Sequence, residues 1–113
     1  MSLDITLKNN YCKHCNRSDE VYEDNITHNL GKMAEEAGIY KILWRPEEIG
    51  AKKAINIIVS LQIGLETLKT DPKRFKQFNA EDGWGKYENF VSFVEKYLVA
   101  CKENPEAIIE VSR

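Results

Sequence analysis

Leu3-Asp4-Ile5-Thr6-Leu7 alternates apolar and polar side chains. Successive side chains of an extended chain point to opposite faces, so this stretch reads as a β-strand with one buried face. At the far end, Ala107-Ile108-Ile109-Glu110-Val111 is apolar and β-branched. It reads as a terminal strand able to pair with the first and tie the two ends of the chain together. Val21 and Tyr22, within Glu20 to Glu23, supply a second short strand. Between these strands the apolar residues recur at helical spacing. The expected class is therefore α+β, with three main helices packed on a small two- to three-stranded antiparallel sheet. Such a sheet is marginal in water by itself, so the helices must cover it.

The first helix is expected from His28 to Ala37, with Thr27 as its N-cap and Gly38 as its stop. Leu30, Met33, Ala34 and Ala37 mark its buried face. Ile39 to Trp44 is short and apolar, and Pro46 prevents a helix from running through it. Pro46, Glu47 and Glu48 suit the first turn of a second helix, expected from Glu47 or Ala51 to Thr70. Its core stripe is Ile55, Ile58, Leu61, Leu65 and Leu68, flanked by Ala54, Ile57 and Gln62. Asp71-Pro72 starts a short helical turn carrying Phe75 and Phe78, and Asn79 to Gly85 is a polar loop. The last helix spans about Lys86 to Lys102 on Tyr87, Phe90, Val91, Val94, Leu98 and Cys101. Asn104-Pro105 ends it. The organisation expected is one domain over 1–113: a strand and turn segment at 1–24, a helical body at 25–104 and a terminal strand at 105–113.

The 113 residues carry 16 Lys and Arg against 18 Asp and Glu, a formal net charge of -2. That balance argues against a surface built for nucleic acid. The basic run of Lys73, Arg74 and Lys76 reads as a solvated helical turn. No apolar run approaches the roughly 20 residues of a membrane span. Asp4 and Lys8 interrupt any signal-peptide core, so a cytoplasmic chain is the expectation. Three cysteines, an odd number, argue against a disulfide framework.

Four places carry chemistry beyond core building. Cys12 and Cys15 form a C-x-x-C that can hold one side of a tetrahedral zinc; His28, Cys101 or a second chain would have to complete the set. The competing reading is reduced thiols in a turn. Thr27, His28 and Asn29 open a helix, where unpaired backbone N–H groups suit an anion and Asn29 suits a base edge or a ribose. Trp44 and Arg45, held before Pro46, offer a stacking face and a planar phosphate-binding fork, unless Trp44 is core. Gly83-Trp84-Gly85 frees an indole to lie flat against a planar group. The terminal Arg113 can add a further cation.

The chain has no G-x-S-x-G, Walker loop or H-E-x-x-H, and no carboxylate pair placed for acid–base work. Hydrogen bonding, charge and stacking together point to a non-enzymatic protein that binds a small anionic, nucleotide-like ligand. Such a ligand buried between subunits suits a homo-oligomer. The alternative is a protein–protein interaction module, zinc-stabilised at Cys12 and Cys15, with Trp44 and Trp84 as anchors. A small hydrolase using His28 is a third reading.

The run from Asn25 to Tyr40, NITHNLGKMAEEAGIY, followed by Leu43-Trp44-Arg45-Pro46-Glu47-Glu48, resembles a family of small uncharacterised phage and prophage proteins. Phe78-Asn79, Gly83-Trp84-Gly85, Tyr97 to Cys101 and the closing Ser112-Arg113 resemble the same family, so the similarity covers nearly everything after Val21. The resemblance transfers no activity. It implies a virus-derived product in bacterial cytoplasm, and with it a counter-defence role: binding a host defence protein or sequestering its second messenger.

Overall fold

The computed structural model describes residues 2–8, 20–78 and 86–113. Strand β1 (Ser2–Lys8) lies at the centre of a three-stranded antiparallel sheet, between β2 (Glu20–Thr27) and β3 (Ile108–Ser112). Ile5 stands opposite Asp24 on one side and Val111 on the other. The alternation of β1 does what its period demands: Leu3, Ile5 and Leu7 are completely buried. The two ends of the chain are joined through β1 and β3, and Lys8 adds a cross-strand ion pair to Glu110 at 2.9 Å. Strand β2 is longer than its propensity suggested. It continues through Asn25, Ile26 and Thr27, because Ile26 pairs with Leu3 and is buried in the core.

Thr27 ends β2 and caps the next turn, its Oγ1 accepting from the Asn29 backbone N–H at 3.3 Å. That turn, His28–Leu30, is a 3-10 turn rather than α-helix, and it leads into the six-residue α1 (Gly31–Glu36). Gly38 stops the run at a φ of 78°, a left-handed conformation that glycine alone adopts freely. The short α2 (Tyr40–Trp44) then buries Ile42, Leu43 and Trp44.

The expected helix from Glu47 or Ala51 does not start there. A 3-10 turn at Pro46–Ile49 is closed by Gly50, again left-handed at a φ of 72°. The chain then runs extended at Lys52 and Lys53 beside the edge of β3, with a bridge from Lys53 to Ile108. Ile109 N–H donates to the Lys52 carbonyl, Ala54 N–H to Ala107 and Ile55 N–H to Pro105, each at 2.9 Å. The Asn56 side chain accepts from the backbone N–H groups of both Lys52 and Lys53. These long-range bonds satisfy backbone that a helix would otherwise have satisfied internally. Regular α-helix begins only at α3 (Ile58–Thr70), after a further 3-10 turn at Ala54–Asn56.

The delayed start rotates the buried face. Ile57, Leu61 and Leu68 are completely buried and Leu65 nearly so, whereas Ile55 faces solvent and Ile58 is only half-buried. Gly64 sits among the buried positions for a steric reason: a Cβ there would lie 2.2 Å from Ile39 Cγ2. Helix α4 (Pro72–Lys76), capped by Asp71, buries Phe75. Helix α5 (Tyr87–Glu103) matches its expected span and packs on α3 and β2 with Phe90, Phe93, Val94, Tyr97, Leu98 and Cys101 buried. No helix among the described residues is long and apolar enough to cross a membrane.

Candidate functional site

Trp44, the last residue of α2, is only 2% exposed. A buried indole N–H needs an acceptor. His28, in the turn that follows β2, provides it: Trp44 Nε1 donates to His28 Nδ1 at 2.8 Å. The bond fixes the imidazole tautomer. Nδ1 is the acceptor, so the ring proton resides on Nε2, at the edge turned away from the indole. Tyr40 lies one helical turn before Trp44 and stacks on it, with ring centroids 5.3 Å apart and planes 17° from parallel. Tyr40 is half-buried, and its phenol lies beside the Arg45 guanidinium.

Two cations and two carboxylates gather at the C-terminal end of α2, about the Trp44 backbone. Arg113, the last residue of the chain, reaches back with Nη1 to donate to the Trp44 carbonyl at 2.7 Å and to the Glu47 carboxylate. Arg45 donates to Glu48 at 3.2 Å. The Arg113 guanidinium holds the Glu47 carboxyl below its usual range. Tyr40 first and Glu48 second stabilise the cationic form of Arg45. The formal charges of these four groups cancel. A guanidinium has five N–H donors, and Arg113 engages these two partners through Nη1 alone.

The structure thus gathers Thr27, His28, Asn29, Trp44, Arg45 and Arg113 around the junction of β2 with α2 and the Pro46 turn. Their expected roles change. Trp44 offers no open ring face to a ligand, because it is core and stacked on Tyr40. The helix-start anion site is also weaker than expected: the helix opens with a 3-10 turn, and the Asn29 backbone N–H is already bound by Thr27 Oγ1. Tyr40, Glu47 and Glu48 belong to the cluster and were missed as partners. The four-residue spacing of Tyr40 and Trp44 was a visible signal for one of them. Gly83, Trp84 and Gly85 lie outside the described residues, as do Cys12 and Cys15.

Among the described residues no three His, Cys, Asp or Glu side chains gather in a way that could hold a metal ion. His28 Nδ1 is committed to Trp44. Cys101 is buried in α5, and burial pushes its thiol up to about 12. Comparison with protein families, with curated proteins and with solved structures finds no match to this chain.

Proposed function

We propose that this protein is a non-enzymatic binder of a small anionic, nucleotide-like ligand, with Thr27, His28, Asn29, Arg45 and Arg113 contributing to its site. The observation that carries this reading is the Trp44–His28 hydrogen bond. It turns a half-buried imidazole into a fixed donor at Nε2–H, while the backbone carbonyl of the same Trp44 accepts from the part-exposed Arg113 guanidinium. Preorganised donors bind with less loss of side-chain freedom. The guanidinium N–H groups that Arg45 and Arg113 leave unengaged among the described residues suit phosphate oxygens, which arginine grips at two points. Asn29 suits a polar base or sugar edge. Tyr40 takes the aromatic role expected of Trp44, and Trp84 is the second aromatic we assign to the ligand.

The same bond argues against turnover. A general base needs a lone pair on the imidazole nitrogen that meets the substrate. With Nδ1 facing Trp44 and the proton on Nε2, His28 presents a donor instead. Glu47 and Glu48 are engaged by Arg113 and Arg45. In a phage-derived protein, the reading that follows is sequestration of a host nucleotide second messenger, as counter-defence.

Thermal shift against a panel of linear and cyclic nucleotides tests it. A ligand present well above its Kd raises the melting temperature. A rise is expected for at least one phosphate-bearing member, lost in Arg45→Ala and Arg113→Ala. No rise across the panel, or a rise indifferent to both substitutions, contradicts the proposal.

A further inference from the structure

The strand order β2-β1-β3 leaves the sheet with two edges. The β3 edge is bridged by Lys53, and Ile109 N–H donates to the Lys52 carbonyl. Beside β2 lies an open groove of about 410 Å³ whose walls come from β2 and α5 alone. Leu7 pairs with Tyr22 but Lys8 with Glu20, so Val21 is the extra residue of a bulge. Val21 and Tyr22 both line the groove. The Tyr22 ring stacks on the buried Tyr97, which braces that wall. From α5 come Ala100 and the exposed Val99.

We propose that this groove takes an extended, basic segment of a partner protein, which joins the sheet as a fourth strand beside β2. The outer edge of a strand is a template of backbone N–H and C=O groups, and strand addition uses it for affinity. Side chains of the incoming strand alternate between the two faces, so every second one turns toward α5 and into the groove. The α5 wall runs from Glu95 to Asn104, a rise of about 14 Å. That length matches about four residues of extended chain. The inward side chains that suit Val21, Tyr22, Val99 and Ala100 are apolar.

Charge selects the occupant. Strand β2 carries Glu20, Glu23 and Asp24 and no Lys or Arg. Glu103 adds a carboxylate from α5. Among the described residues none of these four forms an ion pair; Asp24 accepts from the Tyr22 hydroxyl and the Asn25 N–H. The nearby cations do not balance them. Lys8, opposite Glu20, is bound to Glu110 at 2.9 Å, and Lys69 is bound to Glu95, which leaves Lys96 on the α5 wall. A second copy of β2 would set carboxylates against carboxylates, which is unfavourable. A segment alternating Lys or Arg with apolar residues matches both the acidic edge and the apolar groove. No residue of this groove belongs to the His28 cluster, so its test does not bear on nucleotide binding.

Fluorescence anisotropy of the full chain with a short labelled peptide alternating Lys with Val and Phe reads the proposal. Its controls are the same peptide with Glu for Lys, and two forms N-methylated on one or the other set of alternate residues. The lysine peptide is expected to bind and the acidic one not. One N-methylated form should lose binding and the other keep it, because a single set of amides faces β2. Glu20→Lys/Glu23→Lys should weaken binding by about tenfold, and Val99→Gln should weaken it too. Circular dichroism and melting should stay unchanged, since these side chains are exposed. On binding, hydrogen exchange of the β2 amides should slow. No binding of the lysine peptide, equal binding of the acidic one, or indifference to Glu20→Lys/Glu23→Lys overturns the proposal. Equal binding of both N-methylated forms overturns strand addition. Self-association that protects the β2 amides without peptide assigns the edge to a second copy and overturns it as well.

Discussion

The imidazole of His28 and the indole of Trp44, 16 residues apart in sequence, are joined by a 2.8 Å hydrogen bond from Nε1 to Nδ1. The bond links the end of the sheet to the end of α2 and sets the tautomer on which the site depends. His28→Ala leaves a buried indole N–H without its acceptor, which costs about 1–3 kcal/mol. Trp44→Phe removes the donor as well. In a double-mutant cycle followed by urea unfolding, the two substitutions are expected to couple by about 1 kcal/mol. Additivity within error would show that the bond contributes nothing to the fold. Nitrogen-15 shifts of the imidazole, at a pH where it is neutral, should report a proton on Nε2 and none on Nδ1.

Gly64→Ala is expected to destabilise the protein, although alanine is the better helix former by about 1 kcal/mol. The new methyl would meet Ile39 Cγ2 at 2.2 Å in a packed interior. A net loss of about 1–3 kcal/mol is the scale of such overpacking. Ile39→Ala in the same chain should recover part of it, measured as a double-mutant stability smaller in loss than the sum of the singles.

Tyr97 is completely buried in α5, and among the described residues its hydroxyl has no hydrogen-bond partner. Its ring stacks on Tyr22 at 6.0 Å. Tyr97→Phe keeps the stack and removes an unsatisfied polar atom. Stability is expected to stay level or rise by up to about 2 kcal/mol, the reverse of the usual effect of core substitutions. A clear fall in the urea midpoint would show that the hydroxyl has a partner.

Cys101 and Tyr22 give the fold a basic limit. Burial raises the Cys101 thiol to about 12 and is the largest cause of the rise in the Tyr22 phenol. The unfolded chain ionises both groups in their ordinary ranges, so deprotonation favours unfolding. Stability is therefore complete below the ordinary thiol range and declines as pH climbs from there toward 12. Cys101→Ala should flatten the first part of that decline. At neutral pH the protonated, buried thiol should alkylate far more slowly in folded than in unfolded protein, read by peptide mapping.

Much of the fold was legible because its signals are local. The alternation of Leu3, Ile5 and Leu7, the β-branched run at Ile108 to Val111, and the stripe of α5 each carry their own period. The start of α3 was not legible. It depends on a left-handed Gly50 and on backbone bonds from residues 52–55 and 109 that join segments far apart in sequence. The same holds for the site. Thr27, His28, Trp44, Arg45 and Arg113 could be chosen by residue type, but nothing local says that Trp44 spends its N–H on His28 or that Arg113 returns to the Trp44 carbonyl. The expectations for the C-x-x-C and for Trp84 fall outside the described residues.

Small molecules released by denaturing protein purified from a bacterial host give the most direct test of ligand binding at the His28 cluster. Mass spectrometry of the supernatant is expected to find a phosphate-bearing species in near-stoichiometric amount with the wild-type chain, and to lose it with Arg45→Ala/Arg113→Ala at equal folded yield. No phosphate-bearing species from the wild type, or equal recovery from both proteins, would contradict it.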